Sequence, residues 1–167
     1  MLARMMNMPS DTASPALRAP RLADIPQLVA LEYANFSSDQ LSAARFRHWI
    51  RASNCFFRVA ADCQDRVAGY ALILYRHNSR RARLYSIVVS PTHRGLGLAQ
   101  RLLAEGESAA RERGCLSLYL EVRPDNHAAI RLYEGTGYRH GGLLPGFYED
   151  GNDALRLEKV LIENLIP

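Results

Sequence analysis

Cysteine, lysine and long apolar runs are scarce in this chain of 167 residues, and each scarcity excludes something. Cys55, Cys63 and Cys115 are odd in number and far apart, without Cys-x-x-Cys spacing, so they imply neither a disulfide framework nor a zinc site. A reducing cytoplasm fits them. No apolar stretch approaches the roughly 20 residues that span a bilayer, and the first residues lack the apolar core of a signal peptide, so no membrane is expected as a partner. Lys159 is the sole lysine among 21 basic residues, and the net charge of +4 is mild, so composition demands no nucleic-acid partner. His127 and His140 lack a second metal ligand at helical spacing and read as polar surface, so no metal is expected. There is no internal repeat or low-complexity tract.

What is present is 48% apolar sequence, enough for one sizeable core. Residues 16–167 read as a single domain, monomeric or homodimeric. Residues 1–15 hold all four methionines and no periodicity, and read as a disordered lead or a misassigned start. Leu17 to Arg21 predicts a strand. Asp24 and Pro26 open a helix with an apolar stripe of Ile25, Leu28, Val29 and Leu31, and Glu32 is assigned to its polar side. A second helix is predicted from Asp39 to Ala52. Phe56 to Ala61 and Val67 to Tyr75 alternate as strands about Gln64-Asp65 and continue into a third at Arg83 to Val89. The basic run Arg76 to Arg83 reads as a solvated hairpin tip, with contact to acidic partners or RNA as the alternative.

The most informative stretch is Leu84 to Gly114. A β-branched strand ends at Ser90-Pro91, because proline has no N–H for the ladder. Arg94-Gly95-Leu96-Gly97-Leu98-Ala99 then opens an amphipathic helix that Gly114 stops. Unpaired N–H groups at such a turn, with the helix dipole behind them, favour a phosphate or pyrophosphate. A P-loop would need Gly-Lys-Ser/Thr where Gly97-Leu98-Ala99 stands, and a dinucleotide turn would need glycine or alanine at Gln100. Close packing or a plain turn remains the alternative for an isolated glycine pair.

Downstream, Leu116, Leu118, Leu120 and Val122 alternate with Ser117, Tyr119 and Glu121, which makes a strand carrying a carboxylate near its end. Asp125-Asn126 caps a short helix from Ala128 to Tyr133, and Gly137-Tyr138 turns into another strand. One helix must cross between the strands at Leu84–Val89 and Leu116–Val122, making them parallel neighbours, while the other links suit hairpins. The expectation is an α/β (α+β) fold with a mixed, mostly antiparallel sheet of about seven strands, splayed between those two and flanked by helices.

At these residues the chain resembles the GNAT acetyltransferase superfamily. Its Arg/Gln-x-x-Gly-x-Gly/Ala loop is matched by Arg94, Gly97 and Ala99. Its Asn-x-x-Ala-Ile-x-Leu-Tyr-x-x-x-Gly-Tyr/Phe run is matched by Asn126, Ala129, Ile130, Leu132, Tyr133, Gly137 and Tyr138. With FYEDG and a closing DALRLEK strand, it looks most like the RimI-type N-terminal protein acetyltransferases, from about Leu17 to Leu161. The resemblance implies acetyl-CoA as cosubstrate, with its pyrophosphate on the amides of Gly95, Leu96, Gly97, Leu98 and Ala99, and its pantetheine arm along Ile87, Val88 and Val89. Asn126 would touch the CoA backbone, although it could equally be only a helix cap. The joint near Tyr33 to Ser38 would flank the acceptor's entrance.

Acetyl transfer needs a neutral amine, help at the thioester carbonyl and a proton for the leaving thiolate. Glu121 is the candidate base, since a carboxylate in an otherwise uncharged strand is costly unless paired or used, and desolvation would raise its proton affinity. A structural salt bridge to an arginine is the alternative. Tyr133 is the candidate acid, against a core-packing tyrosine. Tyr148, after Pro145-Gly146, could orient the acceptor or merely pack. An α-amine, with a pKa of about 7.7–8.0, is largely neutral near neutrality, whereas lysine at about 10.4 costs roughly 4 kcal/mol to deprotonate. That favours a protein or peptide N-terminal amine, with a small-molecule amine, or a non-catalytic acyl-CoA-binding module, as the competing readings.

Overall fold

A computed structural model describes residues 13–163. The elements are β1 (Ala16–Arg18), α1 (Ile25–Asn35), α2 (Ala43–Arg51), β2 (Cys55–Ala61), β3 (Val67–Tyr75), β4 (Arg81–Val89), α3 (Leu98–Glu112), β5 (Ser117–Val122), α4 (His127–Gly135), β6 (Arg139–Leu144) and β7 (Ala154–Val160). One sheet runs in the order β1-β2-β3-β4-β5-β7-β6, and every neighbouring pair is antiparallel except β4–β5. That is the expected mixed sheet of seven strands. The parallel pair is short: Arg81, Ala82 and Arg83 face Ser117, Leu118 and Tyr119, and there the pairing stops.

The cause of the parting lies on the other edge of β4. Leu72 of β3 pairs with Ser86, but Ile73 pairs with Leu84, leaving Tyr85 as an extra residue on β4. Such a bulge bends its strand and increases the local twist. β4 therefore stays with β3 up to Val89 while swinging away from β5, which remains paired with β7 as far as Val122.

Two cores flank the sheet. On one face, Leu98, Leu102, Leu103 and Ala110 of α3 pack with Ile73, Leu118, Leu120, Tyr133 and Tyr138. On the other, Ile25, Leu28 and Leu31 of α1 and Phe46 of α2 pack with Phe57, Val59, Tyr70 and Leu72. Phe46 meets Phe57 and Tyr70 with ring centroids at 6.1 and 5.5 Å, within the range that adds favourable aromatic contact to area burial.

Several sequence expectations need correction. The first strand ends at Arg18 because Pro20, two residues on, cannot donate to the ladder. The second helix begins at Ala43, with the Ser42 hydroxyl accepting from the Arg45 N–H; Asp39 lies at φ 56°, outside any right-handed helix. In the basic run, Arg80 donates to Gly114 O, Arg81 to Glu158 and Arg83 to Glu121, so its second half is built into the sheet. Of the lead, residues 1–12 lie outside the described residues, and Ser14 and Pro15 are held by the Arg101 guanidinium.

The largest correction is Glu32. It sits three and four residues from the stripe positions Val29 and Leu28, and therefore on the buried side of α1, where it is 2% exposed. One oxygen accepts the Tyr70 hydroxyl and the other the Leu41 amide at 2.7 Å, so the carboxyl ties α1 to β3 and fixes the far end of the α1–α2 joint. Ser86 completes the chain with a bond of 2.9 Å to the Tyr70 oxygen. Burial pushes the Glu32 carboxyl above its ordinary range, more than the two hydrogen bonds pull it down.

Two stability predictions follow from this packing. A Cβ on Gly69 would lie 2.6 Å from Val88 O, a backbone atom that cannot move without β4, whereas one on Gly135 meets nothing within 4 Å. Gly69→Ala should cost about 1–3 kcal/mol, and Gly135→Ala should be neutral or stabilising by up to about 1 kcal/mol, both read from urea unfolding. For Glu32, a raised native proton affinity means that its stabilising contribution is complete below the unfolded value of 4.5 and is lost as pH rises through the native one. Glu32→Gln cannot titrate. Wild type should therefore lose stability relative to this variant as pH rises above 4.5, and a pH-independent difference would refute the assignment.

Candidate active site

The site forms where β4 and β5 part. Past Arg83, the β5-facing edge of β4 has left its partner, so the backbone of Ile87, Val88 and Val89 borders the gap. Val88 points into the α1 core, while Ile87 and Val89 pack toward the α3 side. At the end of that edge stands the glycine turn. Gly95 and Gly97 have φ of 76° and 75°, the left-handed region that favours glycine, and a Cβ on either would meet nothing within 4 Å. The space over the turn is open: a cavity of about 180 Å³ is lined by Val89, His93, Arg94, Gly95, Gly97, Leu98, Ala99 and Gln100. Gly97 is the N-cap residue of the 15-residue α3, so the free amides of the first turn face this cavity. Leu98 contributes only its backbone, since its side chain is 3% exposed in the core. Leu96 is exposed, and the Arg94 guanidinium donates to Asn35 Oδ1 at the end of α1.

Across the gap, register explains the setting of Glu121. It lies opposite Arg156 on β7 and two residues beyond Tyr119, the partner of Arg83 on β4. Directly opposed and diagonal neighbours share a face, so both guanidiniums reach it. Arg83 Nε donates to Oε2 at 3.0 Å and Arg156 to Oε1 at 2.9 Å, with the Glu121 side chain 5% exposed. The salt bridge weighed against the base is present twice. Beside it, Arg81 and Arg156 lie over the Tyr119 ring at 4.7 and 5.1 Å, and Arg81 pairs with Glu158, which also accepts from the Ser117 hydroxyl at 2.7 Å.

Tyr133 sits on α4, buried, with its ring edge-on to Tyr138 at 5.6 Å. Burial pushes its phenol well up, with a smaller push from Tyr148, so it keeps its proton across the neutral range. The Tyr148 phenol is also raised, first by burial and with further contributions from Glu121 and Asp39, opposed by Arg123 and Arg83. Tyr148 lies against the guanidinium of Arg123, which follows Glu121 by two residues, while Tyr133 packs in the core on the α3 side. Asn126 caps α4 through the Ala129 N–H at 3.2 Å. Among the described residues, no group of three His, Cys, Asp or Glu side chains could hold a metal.

Sequence reasoning missed Arg83, Arg156 and Arg123. Arg83 was legible only as part of a basic run, and its role depends on a register across strands 38 residues apart.

The comparisons with known proteins agree with this arrangement. The family model described as the acetyltransferase (GNAT) family matches residues 22–138. The N-alpha-acetyltransferase RimI of Mycobacterium tuberculosis is 32% identical over 156 residues, covering 91% of this chain and 96% of that protein. An uncharacterized protein of Mycobacterium leprae is 34% identical over 142 residues, which is 82% of this chain but only 38% of that longer protein. The crystal structure of the ribosomal-protein-S18-alanine N-acetyltransferase of Escherichia coli superposes with a TM-score of 0.76 at 25% identity, covering 90% of this chain and 97% of that one. A splayed seven-stranded sheet, an open glycine turn at a helix N-terminus and these matches lead to one assignment: the chain belongs to the GNAT acetyltransferase family, as a RimI-like N-acetyltransferase that uses acetyl-CoA.

Proposed function

We propose that the chain acetylates the N-terminal α-amine of a protein or peptide in the cytoplasm, with Glu121 as general base and Tyr133 as general acid. The observation that carries this reading is the setting of Glu121, held by Arg83 and Arg156 on β5 just past the point where the pairing with β4 stops at Arg83 and Tyr119. The glycine turn lies at the far end of the same β4 edge.

The acetyl-CoA pyrophosphate rests on the amides of Gly95 to Ala99, flanked by Arg94 of the same turn, whose guanidinium is anchored to Asn35 of α1. The pantetheine arm pairs with the backbone of Ile87 to Val89, as a peptide adds to a sheet edge, and Asn126 borders it on the α4 side. The acceptor nitrogen then attacks the thioester carbonyl. As the C–N bond forms, its proton passes to the Glu121 carboxylate, whose orientation is fixed by two charge-assisted hydrogen bonds. As the C–S bond breaks, the electron pair stays on sulfur and Tyr133 gives it a proton. Burial keeps the Tyr133 phenol protonated across the neutral range, so the proton is present when the thiolate leaves, while the same raised proton affinity weakens it as an acid. The relatives named as protein N-acetyltransferases support the α-amine as acceptor.

Purified protein with acetyl-CoA should release thiol faster with peptides bearing free N-termini than with small amines. A small amine outcompeting every peptide would overturn the acceptor assignment. Glu121→Gln and Tyr133→Phe should each lower kcat by about 10²–10⁴-fold with acetyl-CoA affinity nearly unchanged. The tyrosine effect should shrink toward high pH, where a thiol of pKa near ~8.5 leaves unaided. Both variants turning over at wild-type rates from about pH 6 to 9 would remove the two residues from the mechanism. Gly97→Glu should abolish acetyl-CoA binding in calorimetry. Gly97→Asn, a residue that tolerates the left-handed region, separates backbone strain from charge and should bind measurably.

A further inference from the structure

Arg123 follows Glu121 by two residues, just past the end of β5, and reaches two other segments. Its Nη1 pairs with Asp150 Oδ2 at 2.9 Å in the β6–β7 hairpin, where its guanidinium also lies 4.1 Å from the centre of the Tyr148 ring. Its Nη2 donates to Ser38 Oγ at 3.2 Å and approaches Asp39 Oδ2 at 3.4 Å, both in the α1–α2 joint. One side chain thus bridges the α1–α2 joint and the β6–β7 hairpin just past the end of the strand that carries Glu121. Among the described residues, the polar side chains of residues 36–40 reach the rest of the molecule through Arg123, since Gln40 bonds within the joint to Phe36 O and Ser38 otherwise bonds to Asp39.

The joint needs that hold. Asp39 sits at φ 56°, a conformation unfavourable for a side-chain-bearing residue. The ends are fixed, at Leu41 by Glu32 and at Asn35 by Arg94, but the turn between them is not. The pairs themselves are half-exposed, with side-chain exposures of 28% for Arg123, 31% for Asp39 and 39% for Asp150, so they add little to global stability. A contact that is weak in stability and specific in placement shapes a cleft more than it holds a fold.

We propose that Arg123 is a positioning residue that latches the two walls of the acceptor cleft, keeping the α1–α2 joint and the Tyr148 hairpin at the spacing in which the acceptor amine meets Glu121. Without the latch the competent arrangement is only a fraction of the population, and the apparent acceptor affinity falls by that fraction. Acetyl-CoA, bound along β4 and the glycine turn, does not depend on it.

The test is steady-state kinetics of the full chain with the best amine found by the acceptor screen, so a small-molecule acceptor would overturn the α-amine reading while leaving this test intact. Arg123→Ala should raise the acceptor KM about tenfold, leave the acetyl-CoA KM within twofold and leave the melting temperature nearly unchanged. Asp39→Asn and Asp150→Asn should each raise the acceptor KM in the wild-type background and add nothing in the Arg123→Ala background, a coupling that a merely structural role would not produce. Should Arg123→Ala not fold, the two aspartate variants and their double mutant read the same coupling. An acceptor KM within twofold of wild type, an equal rise for both cosubstrates, or additive aspartate effects would overturn the latch.

Discussion

The parting of β4 from β5 is the constraint on which the rest depends. Three residue pairs hold the strands parallel, and the bulge at Tyr85 then bends β4 away. Inside a sheet, an unpaired strand edge is costly, because buried N–H and C=O groups need partners. Here the same edge runs to a glycine turn with an open cavity above it, so the unpaired groups border a gap and not a packed neighbour. A local defect in the ladder thus opens a groove between two strands of one sheet, with Glu121 beside it.

Charge placement in this chain follows a repeated rule: carboxylates removed from water are matched individually. Glu121 is held by Arg83 and Arg156, Glu107 by Lys159 at 2.8 Å and the Tyr138 hydroxyl at 3.1 Å, and Glu32 by Tyr70 and Leu41. The first two are matched with cations and the third with neutral donors only. That difference is why burial wins at Glu32 and lifts its proton affinity. The arginine-rich composition accordingly supplies internal partners, with Arg18, Arg81, Arg83, Arg123 and Arg156 all engaged by carboxylates.

Catalysis in this reading relies on two groups with opposite tasks placed in opposite settings. Tyr133 lies in an apolar core that penalises its anion and keeps it a donor, while Glu121 lies in a charged ladder that fixes its direction. Tyr148 carries the Arg123 cation over its ring. Proton carriers set in rigid strands and helices, with loops left to shape the acceptor side, suit a reaction whose chemistry is constant while its acceptor varies.

From residues alone, the strand–turn–helix unit around Gly95 and Gly97, the parallel neighbours joined by α3 and the seven-stranded mixed sheet were all legible. Each rests on local signals, namely glycine conformation, period-two alternation, proline stops and a single crossover of the right length. Glu32 was half legible, since its spacing from Leu28 and Val29 already placed it on the buried stripe. The partners of Glu121, the bulge at Tyr85 and the bridging reach of Arg123 were not. They depend on which residue of one strand stands opposite which residue of another, and a shift of one position sends a side chain to the other face. That register is set by packing of the whole sheet against α1, α2 and α3, so only the tertiary structure could decide it.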